Sequence, residues 1–214
     1  MFEGKKVLIT GGTGSLGQAL TNRLLKMGVE TIRIVSRNEE KQIQMENKFN
    51  DKRLRFFLAD IRDLSRLSRA LEDIDIVFHT AALKDVPKIE YNPFEAIKTN
   101  VIGSQNVIDA CLEQNVEKVI CIGTDKAVSP LNTYGATKTL MEKLFVAANN
   151  YANPEKHRTK FIAVRYGNVL GRIDNDFEGG NGKYTGVNEN STVIEKVITK
   201  PSDVFMNILA EELK

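Results

Sequence analysis

Near the start of the chain an apolar run, Val7-Leu-Ile-Thr10, stops at Gly11-Gly-Thr-Gly14-Ser-Leu-Gly17, and a helical pattern with Leu20, Leu24 and Leu25 follows at once. A short unbroken apolar run is the pattern of a strand buried on both faces, as in a parallel sheet covered by helices. The three glycines of the turn have separable tasks. Gly11 permits a tight turn, Gly14 lets the backbone approach a pyrophosphate, and Gly17 lets helix and strand pack closely. The helix N-terminus adds N–H groups and a positive dipole end for phosphate oxygens. Spaced glycines also punctuate ordinary turns. With a strand before and a helix after, they predict a dinucleotide site made by Gly11, Thr13, Gly14, Ser15, Leu16 and Gly17.

Further apolar runs recur at Thr31–Val35, Leu54–Ala59, Ile74–Phe78, Val116–Ile122 and Lys160–Val164, with helix-like segments between most of them. That alternation predicts an α/β fold of the Rossmann type, a doubly wound, mostly parallel sheet with helices on both faces. We expect residues 1–172 to form the NADP-binding domain with the catalytic residues. Residues 173–214 are expected to add a short, reduced substrate appendage. That appendage reads as a loop over 174–189 around Gly179-Gly-Asn-Gly182, a candidate strand at Thr192–Ile198 and a short helix from Ser202 to Leu213 after Pro201. A chain of 214 residues suits one full domain plus an appendage. The formal charge of +2 is too small to point to nucleic acid or an anionic membrane. No run is long enough to span a bilayer and the N-terminus has no signal-like core, so the expected setting is cytoplasmic, without membrane insertion. Cys111 and Cys121 lie in apolar runs without metal or redox spacing, so no metal site is expected.

The end of the second strand bears on cofactor choice. An NAD site usually places an acid there to accept from the ribose 2′-hydroxyl, whereas this chain reads Ser36-Arg37-Asn38. A guanidinium pairs with a 2′-phosphate in a fork that a carboxylate would repel. NADP is therefore preferred over NAD, with a solvated loop cation as the other reading of Arg37. Asp60-Ile61 ends the third strand, where Asp60 either receives the adenine amino group or caps the helix near Asp63 to Leu71. In His79-Thr-Ala81-Ala82-Leu-Lys84 the small residues let the backbone lie against the cofactor, and Lys84 suits a diphosphate. His79, among apolar neighbours, reads as a satisfied structural histidine. Pro93 to Gln114 reads as a buried helix, in which Asn100 is either a core-bonding amide or an organiser of active-site water.

Most of the chemistry is expected in Gly123-Thr124-Asp125-Lys126 and Tyr134-Gly-Ala-Thr-Lys138. The fifth strand delivers the first piece, and a four-residue spacing puts Tyr134 and Lys138 on one helix face. A loop acid and base beside a Tyr-x-x-x-Lys turn predict a nicotinamide-dependent enzyme.

Together with Ala81-Ala-Leu-Lys84-Asp-Val-Pro87, Lys98-Thr-Asn100-Val-Ile-Gly and Val164-Arg-Tyr166-Gly-Asn168-Val, these pieces give a family likeness. Residues 1 to about 172 resemble the extended short-chain dehydrogenase/reductases, specifically UDP-N-acetylglucosamine 4,6-dehydratases of the inverting, polysaccharide-biosynthesis type. The resemblance implies oxidation at C4, loss of the C6 hydroxyl as water and return of hydride to C6, giving a 4-keto-6-deoxy sugar with NADP as hydride carrier. It implies that Tyr134 moves the C4 proton, that Lys138 lowers the Tyr134 pKa and holds the nicotinamide ribose, and that Thr124 orients the C4 oxygen. Asp125 and Lys126 are the implied acid and base at C5 and C6. Lys84, Tyr166 and Asn168 are implied to face the UDP-sugar substrate, and the protein to form a homo-oligomer. The chain departs from the family at Asp85, where histidine is usual, at Gly123, where serine is common, and throughout the residues after Arg172. A C4 epimerase or reductase of the same superfamily, and a non-catalytic NADP-binding relative, are the alternative readings.

Overall fold

The computed structural model describes residues 2–167 and a strand at 193–195. The expected loop over 174–189, the expected helix over 202–213 and Asn168 lie outside the described residues. A seven-stranded sheet runs through the molecule in the order β3-β2-β1-β4-β5-β6-β7, formed by β1 (Lys6–Thr10), β2 (Thr31–Ser36), β3 (Leu54–Leu58), β4 (Ile76–His79), β5 (Lys118–Ile122), β6 (Lys160–Arg165) and β7 (Val193–Glu195). Every neighbouring pair is parallel, with β1 central between β2 and β4. The strand order reverses beside β1, and open sheets of this kind bind ligands at the carboxyl ends of the strands there.

Helices α1 (Ser15–Lys26), α2 (Glu39–Phe49), α3 (Leu64–Leu71), α4 (Val86–Tyr91), α5 (Pro93–Ala96), α6 (Gly103–Glu113) and α7 (Thr133–Tyr151) supply the covering layers. One core includes Val7, Ile9, Leu20, Leu24, Ile32, Ile34 and Phe78, and closes α1 onto the sheet. The opposite core joins Leu8, Val77, Val119 and Cys121 of the sheet to Leu67, Val107, Ile108, Met141 and Phe145 of the helices. Successive strand residues therefore enter opposite cores, which is why these strands read as unbroken apolar runs.

The segment expected as one buried helix from Pro93 to Gln114 is divided. A π-helical stretch, Ile97–Ile102, lies between α5 and α6, and Phe94, Ile97 and Ile102 are exposed. The wider winding shifts the facing of the residues, so Thr99 and Asn100 turn inward. Helix α4, absent from the sequence expectation, starts from Asp85, whose carboxylate accepts from the Lys88 N–H at 3.1 Å. The fourth strand begins at Ile76 rather than Ile74, because the Ile74 N–H is taken by Leu71 O at the end of α3.

Candidate active site

A cavity of about 670 Å³ opens at the strand ends around β1 and β2. Gly11, Thr13, Gly14, Ser15, Leu16 and Gly17 line it. Gly11 has φ +66°, and a Cβ there would stand 2.8 Å from Ala81 Cα, so the turn needs glycine for conformation and for close approach. A Cβ at Gly17 would run into the Gly12 carbonyl. Gly14 is the N-cap of α1 with no side-chain cap, and the first turn holds no acid. The N–H groups of that turn are therefore free of side-chain competition and suit an anion.

Ser36, Arg37, Asn38, Asp60 and Ile61 also line the cavity. Asn38 serves as N-cap of α2, accepting from the Lys41 N–H at 2.8 Å. Asp60 accepts from the Arg62 backbone N–H at 2.9 Å and from Arg62 Nη2 at 2.7 Å, with Arg37 Nη1 at 3.4 Å. Burial pushes the Asp60 carboxyl upward, but Arg62 and Arg37 outweigh it and hold it below the usual carboxylate range. The capping alternative for Asp60 is overturned, since Asp63 caps α3 by accepting from the Arg66 N–H at 3.0 Å. Lys41, Arg62 and Thr99 line the cavity too, and the sequence reading missed all three. Lys41 had a signal, being one helical turn beyond Arg37. Among the described lining residues stand four cations, Arg37, Lys41, Arg62 and Lys84, and one carboxylate, Asp60, which pairs with Arg37 and Arg62. A polyanionic dinucleotide fits this cradle.

The loop after β4 supplies Thr80, Ala81, Ala82 and Lys84 to the wall. Asn100 holds that loop without lining the cavity. Its side chain accepts from Leu83 N at 2.8 Å and donates to Leu83 O at 2.9 Å and to Thr137 Oγ1 at 3.1 Å. Of its two readings these bonds support the core-bonding one, with Asn100 clamping the loop. His79 is enclosed between Thr10 Oγ1 at 2.8 Å and Ser104 Oγ at 2.9 Å. It stacks on Phe145. Burial, aided by Lys138, lowers its pKa to about 3. It is the satisfied structural histidine expected. Cys111 and Cys121 are buried, and burial raises both thiols.

Past β5, Thr124 caps a 3-10 turn, Asp125–Ala127. Its hydroxyl donates to Asp125 Oδ1 at 3.0 Å, and Lys126 Nζ lies 3.2 Å from the same oxygen. The Asp125 N–H donates to Tyr166 O at 3.0 Å, which ties the turn to the end of β6. Tyr166 also lines the cavity, so the acid–base turn adjoins the cradle through it. Asn132 caps α7, accepting from the Gly135 N–H at 2.8 Å, and so sets Tyr134 in the first turn. Tyr134 is buried, and burial raises its phenol first, with Tyr166, Asp125 and Glu142 adding and the Thr124 side chain opposing. Lys138 is enclosed, donating to Ile122 O at 2.7 Å. Burial lowers its pKa. Lys138 thus gives one N–H to the strand end and has Met141 Sδ at 3.5 Å. Neither Tyr134 nor Lys138 is among the cavity-lining residues. No cluster of metal-ligating side chains occurs among the described residues, and none of their helices is long and apolar enough to cross a membrane.

Known proteins are similar to this chain in sequence and fold. The sequence profile of the family described as "Polysaccharide biosynthesis protein" matches residues 7–173. A UDP-N-acetylglucosamine 4,6-dehydratase (inverting) of Campylobacter jejuni is 54% identical over 172 residues, covering 80% of this chain and 51% of that protein. A UDP-glucose 4-epimerase of Rickettsia conorii is 45% identical over 174 residues, covering 79% and 50%. The X-ray structure of Pen from Bacillus thuringiensis superposes with a TM-score of 0.79 at 41% identity, covering 82% of this chain and 54% of that one. The chain thus spans about half the length of the curated relatives it matches. With its glycine cradle, its parallel sheet and its Thr-Asp-Lys and Tyr-x-x-x-Lys turns, the chain belongs to the polysaccharide biosynthesis protein family, within the dehydratase and epimerase class of short-chain dehydrogenase/reductases.

Proposed function

We propose that this protein dehydrates a UDP-N-acetylhexosamine, of the UDP-N-acetylglucosamine kind, to a 4-keto-6-deoxy sugar nucleotide with NADP as its resident hydride carrier. The observation that carries this is the Thr124-Asp125-Lys126 turn. It sets a carboxylate and an ammonium 3.2 Å apart beside the buried Tyr134. A C4 epimerase needs one proton-transfer group at the oxidised hydroxyl, whereas elimination of the C6 hydroxyl needs further acid–base groups at C5 and C6.

When bound, NADP supplies an acceptor for hydride from C4 and later a donor to C6. The protein's own groups do the rest. Tyr134 takes the C4 hydroxyl proton, and the Thr124 hydroxyl, turning its single proton away from Asp125 Oδ1, orients that oxygen. Lys126 passes a proton to Asp125 across their contact and, now an amine, removes the C5 proton, while the protonated Asp125 gives its proton to the departing C6 oxygen. Lys84 and Tyr166 face the substrate side, and Lys138 holds the nicotinamide ribose. Preference for NADP over NAD is supported by Arg37, Lys41 and Arg62 along the cavity wall, with Asp60 neutralised by two guanidiniums.

The Rickettsia relative named as an epimerase supports a second reading, C4 epimerisation, in which Tyr134 suffices and Asp125 and Lys126 are bystanders. Incubation with UDP-N-acetylglucosamine and NADP, followed at the C6 protons by NMR, separates the two. Dehydration converts the C6 signals to a methyl group, while epimerisation leaves the hydroxymethyl in place. Methyl formation at the wild-type rate in Lys126→Ala would remove Lys126 from the mechanism.

A further inference from the structure

Tyr134, Lys138 and Glu142 succeed one another four apart along α7, so they stand on one helix face. The first two belong to the site. Glu142 is only 3% exposed and had no part in the sequence reading. Its Oε2 accepts from Arg165 Nε at 2.9 Å and lies 2.8 Å from Nη2, an ion pair with the last residue of β6. Its Oε1 is enclosed and finds no hydrogen-bond partner among the described residues. A buried pair of this kind is often no more stable than apolar side chains of the same volume. Stability alone therefore gives little reason for a carboxylate here.

The location supplies one. A Cβ added at Gly123 would overlap Glu142 Oε1 and reach 3.0 Å from Val164 O. The carboxylate thus fills the volume that a side chain at position 123 would take, directly before Thr124. Where the family commonly has a serine side chain, this chain has a glycine with the Glu142 carboxylate packed against it. Three groups facing Glu142 favour its charged form: Arg165 from β6, Lys138 from α7 and the Thr124 amide at the end of β5. Burial opposes them and raises its pKa. Glu142 in turn supports the charge on Lys138 against burial.

We propose that Glu142 is a positioning residue. Clamped by Arg165, it takes the place of a side chain at 123, fixes the strand end that carries Thr124 and gives Lys138 a counter-charge, so that positions 123 and 142 act as one coupled pair. This rests on the reading of Thr124, Tyr134 and Lys138 as the reacting set.

The test is a cycle of Gly123→Ser, Glu142→Asp and the double variant, with Glu142→Gln alongside. Gly123→Ser is expected to cut kcat by about tenfold or more while KM and the Kd for NADP stay within about twofold, as for lost transition-state alignment. In the double variant the shorter acid makes room, and kcat returns to within about threefold of wild type, a non-additive rescue. In sugar-free protein the Lys138 Cε signal, assigned by its loss in Lys138→Arg, should titrate at lower pH in Glu142→Gln than in wild type, by about half a unit or more. A wild-type rate in Gly123→Ser, a double variant that folds or turns over no better than the product of the single effects, or an unmoved Lys138 midpoint in folded Glu142→Gln would each overturn the proposal. Should the wild type turn over no sugar nucleotide, the functional reading fails by itself. The coupling is then decided by the non-additivity of Tm in the same cycle and by the Lys138 titration.

Discussion

His79 shows how a residue that looks reactive becomes structural. Its ring nitrogens are both engaged, by Thr10 and Ser104, and the residue is 1% exposed. With an unfolded pKa near 6.5 and a folded value of about 3, the unfolded chain binds the extra proton throughout that interval. Stability carried by neutral His79 is therefore complete above pH 6.5 and is lost as pH falls toward about 3, by at most ~1.4 kcal/mol per pH unit. Urea unfolding of wild type and His79→Gln across that range should show the steeper acid slope in the wild type; parallel slopes would contradict it. Arg37 and Lys41 make a prediction at the same scale. Arg37→Ala or Lys41→Ala should weaken NADP binding about tenfold, as loss of a phosphate contact does, and leave NAD within about twofold. Equal losses for both cofactors in calorimetric titration would assign these cations to the diphosphate instead. The sequence showed Arg37 because it stands where an acid is usual. Arg62 was hidden, since its cavity position depends on folding back to Asp60 two residues away.

Among the elements, those with a local cause were legible. The β1 run, the glycine turn and the start of α1 follow from apolar burial and from the two positions where a Cβ would strike backbone, Gly11 against Ala81 and Gly17 against Gly12. The caps of α2 and α3 at Asn38 and Asp63 are local too, yet the sequence offered Asp60 as the α3 cap and Asn38 only as a cofactor contact. The π-helical stretch was not legible, because nothing in Ile97–Ile102 breaks a helical pattern. Its cause is tertiary: the Asn100 amide bonds both backbone groups of Leu83, in another segment. That pairing predicts a coupled loss. Asn100→Ala leaves the Leu83 N–H and carbonyl without their partner and should cost about 2–4 kcal/mol. Since the same loop carries Ala81, Ala82 and Lys84, NADP affinity should fall with it. A variant that loses stability in urea but binds NADP as wild type does would sever the loop from the cofactor.

At the scale of the molecule, the parallel sheet with helices on both faces followed from the alternation of apolar runs and helices, because such a sheet with right-handed crossovers leaves few arrangements. The joining of the cradle to the acid–base turn did not. It depends on Tyr166 O meeting the Asp125 N–H across two strand ends, a contact between residues 41 positions apart. The match to relatives covers about half of their length, so the described residues hold the cradle and the acid–base turn, and activity is a property to be measured on the chain as it stands. The measurement that bears most directly on the dehydratase reading is turnover of UDP-N-acetylglucosamine with NADP in deuterium oxide, read by NMR at C5 and C6. The account predicts a C6 methyl product carrying deuterium at C5, strongly reduced in Lys126→Ala and in Tyr134→Phe. A product epimerised at C4 with its C6 hydroxyl intact and no deuterium at C5 would contradict it.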